Sequence, residues 1–264
     1  MEIKEIEKSI IKTYKRKIYG RFLKGIKEYE MISDNDKIAV CISGGKDSFL
    51  LAKCMQELKI HSKYNFDLKF IVMDPGYTEK NLNKIRENLE KLNIDAEIYE
   101  SKIFNQIKDT DSICYLCARK RRGSLYAKAK ELGCNKIALG HHFDDVIETI
   151  LLNIIYAGEY KTMMPKLKST NFEDMELIRP LYFVKEKDII SWKNYCGLEF
   201  LDCACTITEK QVGKRKEIKE LINNLRNIDK NIDIHILKSS ENINLYAVLG
   251  YKINDKSYSF MDEY

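Results

Sequence analysis

Six consecutive residues carry the densest chemistry in the sequence: Ser43-Gly44-Gly45-Lys46-Asp47-Ser48. The glycines let an anion approach the backbone closely, and the serine hydroxyls and Lys46 add hydrogen-bond donors. The apolar run 37–42 precedes this segment and helix-forming residues follow it, which predicts a strand, a loop and a helix N-terminus. Because a helix N-terminus favours negative charge, we expect this loop to bind a phosphate group.

A second strand-to-helix junction follows the apolar run 136–139 and has the sequence Gly140-His141-His142-Phe143-Asp144-Asp145. Carboxylates beside a nucleotide can hold the magnesium ion that bridges its phosphates, so we expect Asp144 and Asp145 near the phosphate loop. As acids in a first helical turn, either can instead simply complement the helix dipole. Asp74 ends the predicted strand 68–73 and is a candidate ribose or metal contact, with a turn-starting aspartate before Pro-Gly as the alternative.

Cysteines form two further candidate sites, a Cys-x-x-Cys motif at Cys114 and Cys117 and a later pair at Cys203 and Cys205. A single Cys-x-x-Cys motif is compatible with half of a zinc site, a redox pair or two ligands of an iron–sulfur cluster, and spacing alone does not choose. Eight cysteines without a secretory signal favour thiols, metal ligation or sulfur chemistry over a disulfide framework. We interpret the remaining four as packing residues: Cys41, Cys54, Cys134 and Cys196.

The elements that position these residues alternate between strand and helix patterns. Strands are predicted at 37–42, 68–73, 94–99, 136–139 and 178–181, with helices at 49–60, 79–92, 185–195 and 213–228, and a hairpin in the tail 244–264. This alternation predicts an α/β fold with a doubly wound parallel sheet.

The composition predicts a globular protein with one core and a smaller appendage, since 44% of the 264 residues are hydrophobic. No apolar run approaches the roughly 20 residues of a membrane span, and the first residues lack the continuous apolar core of a signal peptide. We therefore expect a cytoplasmic protein without a membrane partner.

The first 30 residues place apolar side chains from Ile3 to Tyr29 at spacings of three and four, which predicts one long helix or two. The opposite face is basic and includes Lys15, Arg16 and Lys17, here called the basic turn. Such a face is either solvated or a contact for nucleic-acid phosphates, which would give salt-sensitive binding.

Asp47 stands where the Walker pattern requires serine or threonine, which excludes a Walker loop. The segment instead resembles the PP-loop of ATP pyrophosphatases, which split ATP into AMP and pyrophosphate while activating a carbonyl oxygen as an adenylate. With this PP-loop, the sequence resembles the tRNA 2-thiocytidine synthetases in nearly its whole length, up to about residue 240. The motifs that carry the resemblance occur in the family's order: SGGKDS at 43–48, CxxC with RKRRG at 119–123, GHHFDDVIET at 140–149, IRPL at 178–181 and the late cysteine pair.

The resemblance implies a fold of the PP-loop ATP pyrophosphatase type with a helical N-terminal extension. It divides the chain into a basic helical extension (1–36), a PP-loop domain with cluster-binding cysteines (37–205) and a C-terminal helical region with a tyrosine-rich tail (206–264). It implies an enzyme that binds ATP and Mg²⁺, carries a [4Fe-4S] cluster, and replaces the C2 oxygen of an anticodon-loop cytidine in tRNA with sulfur. The partners implied are tRNA, a sulfur donor (the persulfide of a cysteine desulfurase or inorganic sulfide) and a second copy of the chain.

Carried over to this sequence, the resemblance assigns the catalytic roles to Lys46 and Asp47. The cluster ligands would be Cys114, Cys117 and Cys203, with Cys205 as the alternative, because Asp202 and Ala204 depart from the family's spacing here. The nucleotide site would comprise Ser43, Gly44, Gly45, Lys46, Asp47, Ser48, Asp74, Gly140, His141, Asp144 and Asp145, with Asp145 also for magnesium. The RNA contacts would be Lys15, Arg16, Lys17, Arg119, Arg121 and Arg122.

Three alternatives remain at this stage. The same chemistry could act on a tRNA uridine, and an enzyme similar to lysidine synthetase would use an amine as its nucleophile. The third alternative is a non-catalytic RNA-binding protein with structural zinc on the cysteines.

Overall fold

The computed structural model contains a six-stranded sheet in the order β3-β2-β1-β4-β6-β5. All neighbouring strands are parallel except β5 and β6, which are antiparallel. Helices flank the sheet, so the predicted doubly wound parallel α/β fold is confirmed. The strands are β1 (Lys37–Ile42), β2 (Asp67–Asp74), β3 (Ala96–Glu100), β4 (Lys136–Ala138), β5 (Lys166–Lys168) and β6 (Glu176–Ile178).

The structure describes residues 1–101, 113–201, 209–253 and 256–263. These residues form two units, the first comprising 1–146 and 163–213 and the second 147–162 and 214–264. The predicted division at residues 36 and 205 stays a prediction. The α-helices are α1 (Ile3–Lys8), α2 (Gly20–Glu28), α3 (Lys46–His61), α4 (Glu79–Lys91), α5 (Ile113–Glu131), α6 (Phe143–Leu152), α7 (Glu186–Tyr195), α8 (Glu209–Ile228) and α9 (Ile232–Ser239).

Strand β1 lies in the middle of the sheet, and its residues 38–42 are all buried. A strand covered on both faces is expected to be apolar throughout, as the segment Ile38-Ala39-Val40-Cys41-Ile42 is. On one face of the sheet, Ala39 and Cys41 pack in a core cluster with Tyr126 and Ala129 of α5. The core thus anchors the strand that leads directly into the phosphate loop.

The strand order creates a crevice at the carboxyl ends of β1 and β4. From β1 the chain moves outward through β2 and β3, and then returns to place β4 on the other side of β1. In open α/β sheets, ligands bind where the strand order reverses in this way. The segments 43–48 and 140–145 follow these two strands and therefore meet at this position.

The N-terminal segment is helical from Ile3 to Glu28, with two π-helical stretches, Ser9–Thr13 and Lys15–Tyr19, between α1 and α2. Its apolar positions 6, 10, 14, 18, 22 and 26 are buried, which confirms the predicted apolar face. A strict spacing of four exceeds the 3.6 residues of an α-helical turn, so wider π turns keep these side chains on one face.

The predicted strand at 178–181 is wrong in its bounds, because the strand ends at Ile178 and residues 180–183 form a turn. Pro180 has no N–H group for a sheet hydrogen bond, which explains the early end. The other predicted elements occur within a few residues of their expected bounds. None of the helices in the described stretches is long and apolar enough to cross a membrane.

The second unit contains the end of α6, a π-helical turn (Asn153–Ala157), most of α8, and α9. Its tail forms the predicted hairpin from β7 (Gly250–Ile253) and β8 (Lys256–Ser259), with Tyr251 and Tyr258 stacked at 5.0 Å between ring centroids. Short 3-10 helices, Leu245–Ala247 and Phe260–Glu263, flank the hairpin.

Candidate active site

The phosphate loop connects β1 to α3, as predicted. Gly44 has a φ of +89°, a conformation that side chains with a Cβ rarely adopt. Ser48 is buried, and its hydroxyl accepts a hydrogen bond from the Ser43 N–H (3.1 Å) and donates one to the Gly45 carbonyl (2.8 Å). No side chain among the described residues caps the N-terminus of α3, whose first N–H groups lack a partner within the helix. The loop is therefore shaped to bind an anion.

The segment after β4 lies directly against the phosphate loop at Gly140. A Cβ atom at this position would be 3.0 Å from the Ser48 nitrogen and 3.1 Å from the Asp47 carbonyl carbon and the Ser48 Cα. Only glycine allows two backbone segments to approach so closely. Gly140 thus sets the distance between the two strand-to-helix junctions.

Asp47 and Asp145 face each other across His142. The His142 Nε2 lies 3.8 Å from Asp47 Oδ1, and the backbone N–H of His142 donates to Asp145 Oδ2 (3.0 Å). The His142 Nδ1 atom lies 3.4 Å from both the backbone nitrogen and the Oδ2 atom of Asp145. The Oδ1 atom of Asp47 is buried and has no hydrogen-bond donor among the described residues.

The charge of Asp47 is therefore only partly compensated. Burial raises the pKa of Asp47 above its ordinary value, the charges of His142 and Lys46 oppose this rise, and the nearby charge of Asp145 adds to it. A buried acceptor with spare capacity beside a second carboxylate suits a cation or a donor group of a ligand.

Lys46 makes two ion pairs within the site. Its Nζ lies 3.2 Å from Asp47 Oδ2 and 3.2 Å from Glu186 Oε1, at the start of α7. Burial lowers the pKa of Lys46, but the charges of Asp47 and Glu186 outweigh it and raise the pKa above its ordinary value. Lys46 therefore stays charged. The Glu186 N–H in turn donates to Asp144 Oδ2 (2.7 Å), so the carboxylate of Asp144 caps α7.

A cavity of about 370 Å³ opens beside these residues. Part of its wall is apolar and part carries the charged groups of the two junctions and two arginines of α5. This combination is typical of a ligand site, in which apolar walls hold a ring and a few polar groups orient it. The lining residues are Cys41, Ile42, Ser43, Asp47, Ser48, Met73, Arg121, Arg122, Leu125, Leu139, Gly140, His141 and Asp145.

Three arginines, Arg121, Arg122 and Arg179, lie in or near the cavity wall. Neither Arg121 nor Arg122 makes an ion pair with a described residue. Arg179 follows β6, is 6% exposed, and donates from Nη1 to the Met164 carbonyl, while its Nε has no described partner. Burial, together with the charge of Arg122, lowers the pKa of Arg179 to about 10. This side of the cavity is therefore electropositive.

Described residues that neighbour the cysteines in sequence lie at this site. Cys114 and Cys117 lie in the first turns of α5, the helix that continues to Arg121 and Arg122. The N–H of Leu201 donates to the Gly44 carbonyl (3.1 Å), two residues before Cys203. The side chains of Cys114 and Cys117, and all of Cys203 and Cys205, lie outside the described residues.

The structure also shows where Asp74, the basic turn, Arg119 and the four cysteines interpreted as packing residues lie. Asp74 Oδ1 accepts hydrogen bonds from the N–H groups of Gly76 (2.8 Å) and Tyr77 (2.6 Å), so it closes a turn. Its predicted ribose or metal contact stays a prediction. The basic turn is exposed, as is Arg119. The cysteines interpreted as packing residues are buried and unbridged, as predicted: Cys41, Cys54, Cys134 and Cys196.

The structure adds His142 and Glu186 to the predicted residues. His142 is part of the motif that includes His141, but nothing in the sequence showed which histidine faces Asp47. No sequence motif pointed to Glu186, because it is 140 positions from the lysine that it contacts. The structure brings together the loop residues with Gly140, His141 and Asp145, and directs Asp144 to α7.

The chain is similar to known proteins that contain a PP-loop domain. The family described as the PP-loop domain matches residues 14–223. The tRNA-cytidine(32) 2-sulfurtransferase of Aliivibrio fischeri strain MJ11 is 40% identical over 205 residues, which cover 75% of this chain and 65% of that protein. The chain thus spans slightly less than two thirds of that relative's length. The protein of the same name from Pelobacter propionicus is 34% identical over 234 residues, covering 87% of each chain.

Among solved structures, the chain is similar to the U34-tRNA thiolase NcsA from Methanococcus maripaludis, which was solved with its [4Fe-4S] cluster. The TM-score is 0.68 over 84% of this chain and 76% of that chain, with 23% sequence identity. This likeness concerns the fold.

Proposed function

We propose that this chain is an ATP-dependent tRNA sulfurtransferase. The chain belongs to the PP-loop domain family and, within it, to the family of the tRNA-cytidine(32) 2-sulfurtransferases. It adenylates the C2 oxygen of an anticodon-loop cytidine and replaces that oxygen with sulfur. The observation that carries the proposal is the meeting, in one cavity, of the phosphate loop, the carboxylates 47 and 145 and the arginines of the cysteine-bearing helix.

The residues of the loop fit the phosphates of ATP. The uncapped start of α3, the positive φ of Gly44 and the charged Lys46 provide donors and space for an anion. These donors stabilise the charge that develops on pyrophosphate as it leaves, which is the step that activates the base. The C2 oxygen of cytidine is a poor leaving group, and an adenylate makes its departure possible.

The carboxylates fit magnesium. Asp145 lines the cavity, and the buried Oδ1 of Asp47 has no donor in the part of the chain that the structure describes, so both offer the oxygen ligands that Mg²⁺ prefers. We assign Asp145 as the magnesium ligand. When bound, the ion would neutralise charge on the phosphates.

The cysteine positions fit a [4Fe-4S] cluster. Cys114 and Cys117 are three apart on α5 and share one face, and α5 continues to the cavity. Leu201, which precedes Cys203 by two positions in the sequence, donates its N–H to the Gly44 carbonyl. Three thiolate ligands would leave one iron open to sulfur, and this is the chemistry that the cluster would supply. The third ligand is Cys203, with Cys205 as the alternative.

The basic residues fit tRNA. Arg121 and Arg122 line the cavity without described acidic partners, and Arg119 and the basic turn are exposed. Arginine and lysine bind RNA phosphates, and bases of a single-stranded loop can be splayed into a pocket. The proposed partners are tRNA, a second copy of the chain, and a sulfur donor, either the persulfide of a cysteine desulfurase or inorganic sulfide. The proposed location is the cytoplasm.

Two experiments test the proposal. Mass spectrometry of tRNA nucleosides from cells lacking the gene should show the loss of 2-thiocytidine, whereas the loss of a thiouridine would redirect the proposal to uridine. The protein purified without oxygen should be brown and contain iron and sulfide. A colourless, zinc-containing protein with unchanged tRNA in the deletion strain would refute the proposal.

A further inference from the structure

The ammonium of Lys46 pairs with two carboxylates. Its Nζ is 3.2 Å from Asp47 Oδ2 and 3.2 Å from Glu186 Oε1, and both carboxylates are charge partners. An ammonium has three donors, and two are used in this way. A phosphate that binds at the loop must therefore share Lys46 with these carboxylates or displace them.

Glu186 is held in place by the opposite wall of the site. Its backbone N–H donates to Asp144 Oδ2 (2.7 Å), and Asp144 belongs to the same segment as Gly140 and Asp145. The side chain of Glu186 is only 17% exposed. The start of α7 therefore cannot drift from the phosphate loop without breaking the cap at Asp144.

The two carboxylates differ in what they can do when pyrophosphate is bound. Asp47 is on the loop itself, next to Lys46 in sequence, and stays beside it in any state. Glu186 comes from another helix and adds a negative charge near the place where the pyrophosphate would lie. Like charges at close distance repel, and this repulsion is only weakly screened in a partly buried site.

We infer that Glu186 is a positioning residue that pairs with Lys46 and competes with pyrophosphate for it. The inference rests on the proposed function, because it requires that the loop bind ATP and release pyrophosphate. Competition lowers the affinity of the loop for pyrophosphate, and the return of Lys46 to Glu186 assists product release. A purely structural ion pair would have the opposite effect on affinity, since its loss would loosen the loop.

The experiment measures binding of inorganic pyrophosphate and of ATP to the full-length protein by calorimetry, in buffer that contains magnesium chloride. The variant Glu186→Gln should bind pyrophosphate roughly twofold to fivefold more tightly, a change typical of one solvent-accessible charge pair. Glu186→Asp, which keeps the charge, should stay near the wild type. In the background of Lys46→Met, adding Glu186→Gln should tighten pyrophosphate binding less than it does in the wild type, because the competition for Lys46 is gone and only the direct repulsion between Glu186 and pyrophosphate is relieved.

A matched control comes from the same helix. Asp188 pairs with Arg21 at 3.0 Å and does not line the cavity, so Asp188→Asn removes an ion pair of α7 without touching Lys46. It should leave pyrophosphate binding unchanged. Stopped-flow release of pyrophosphate should be slower from Glu186→Gln and unchanged in the control.

The possible results distinguish a wrong role for Glu186 from a wrong proposed function. Unchanged or weaker pyrophosphate binding by Glu186→Gln, or equal effects of Glu186→Gln and Asp188→Asn, would overturn the role of Glu186 and leave the ATP chemistry intact. Failure of the wild-type protein to bind either ATP or pyrophosphate would refute the proposed function, and the role of Glu186 with it.

Discussion

Replacing Gly140 with alanine should damage the site through a steric effect alone. Gly140 is not among the glycines with a positive φ, so alanine is compatible with its backbone conformation. The added methyl group would lie 3.0 Å from one and 3.1 Å from two backbone atoms of Asp47 and Ser48. Carbon atoms in contact are normally about 3.5–4.0 Å apart, so the two segments must separate by several tenths of an ångström.

The expected loss of stability in Gly140→Ala follows because the added methyl group would contact backbone atoms. A flexible side chain could rotate away, but the start of α3 cannot move without straining the phosphate loop. Overpacking of this kind destabilises by about 1–3 kcal/mol. Catalysis should suffer more than stability, since displacement of reacting groups by up to about 1 Å can lower the rate by about 100-fold.

The assay compares urea unfolding with ATP-dependent formation of AMP on tRNA. Gly213→Ala is the control, because Gly213 lies in α8 with no atom near its virtual Cβ, and alanine there should stabilise the helix by up to about 1 kcal/mol. If Gly140→Ala kept both wild-type stability and wild-type AMP formation, the close approach of the two junctions would be refuted.

Three further predictions concern charge. Burial raises the pKa of Asp47, so ionisation of this carboxyl group opposes folding. The variant Asp47→Asn should therefore have a higher urea midpoint than the wild type at pH 7, and this increase should be smaller near pH 4. The same variant should form no AMP. Burial raises the pKa of Asp36, but hydrogen bonds from Lys136 and Asn135 outweigh it and lower that pKa. Asp36→Asn should therefore cost about 3 kcal/mol at pH 7 and progressively less as the pH falls through the lowered pKa. Charge reversal of the basic turn should weaken tRNA binding and reduce its salt slope by at least about 0.7 for each neutralised phosphate contact.

Each of these predictions has a contradicting result. A destabilised Asp47→Asn protein at pH 7 would mean that the carboxylate is structurally required. A pH-independent effect of Asp36→Asn would show that its charge does not support Lys136, which lies 2.7 Å away. Unchanged tRNA affinity and salt slope would return the basic turn to a solvated surface.

Features that are encoded within short segments could be predicted from the order of the residues. Paired glycines after the apolar run 37–42 predict a strand, a loop and a helix start, because turn conformation and helix initiation depend on neighbouring residues. The same is true of the strand and helix alternation, and of the N-terminal apolar face, whose spacing is visible directly. The predicted strand at 178–181 failed at Pro180, since a lone apolar run does not define where pairing ends.

Contacts between groups that are distant in the sequence became visible only in the folded chain. The placement of β4 beside β1 brings Gly140 against Ser48, and the packing of α7 brings Glu186 to Lys46. His142 pairs with Asp47, and its neighbour His141 lines the cavity. These contacts join residues about 90 to 140 positions apart. They follow from strand order and side-chain packing, on which the local pattern of residues carries no information.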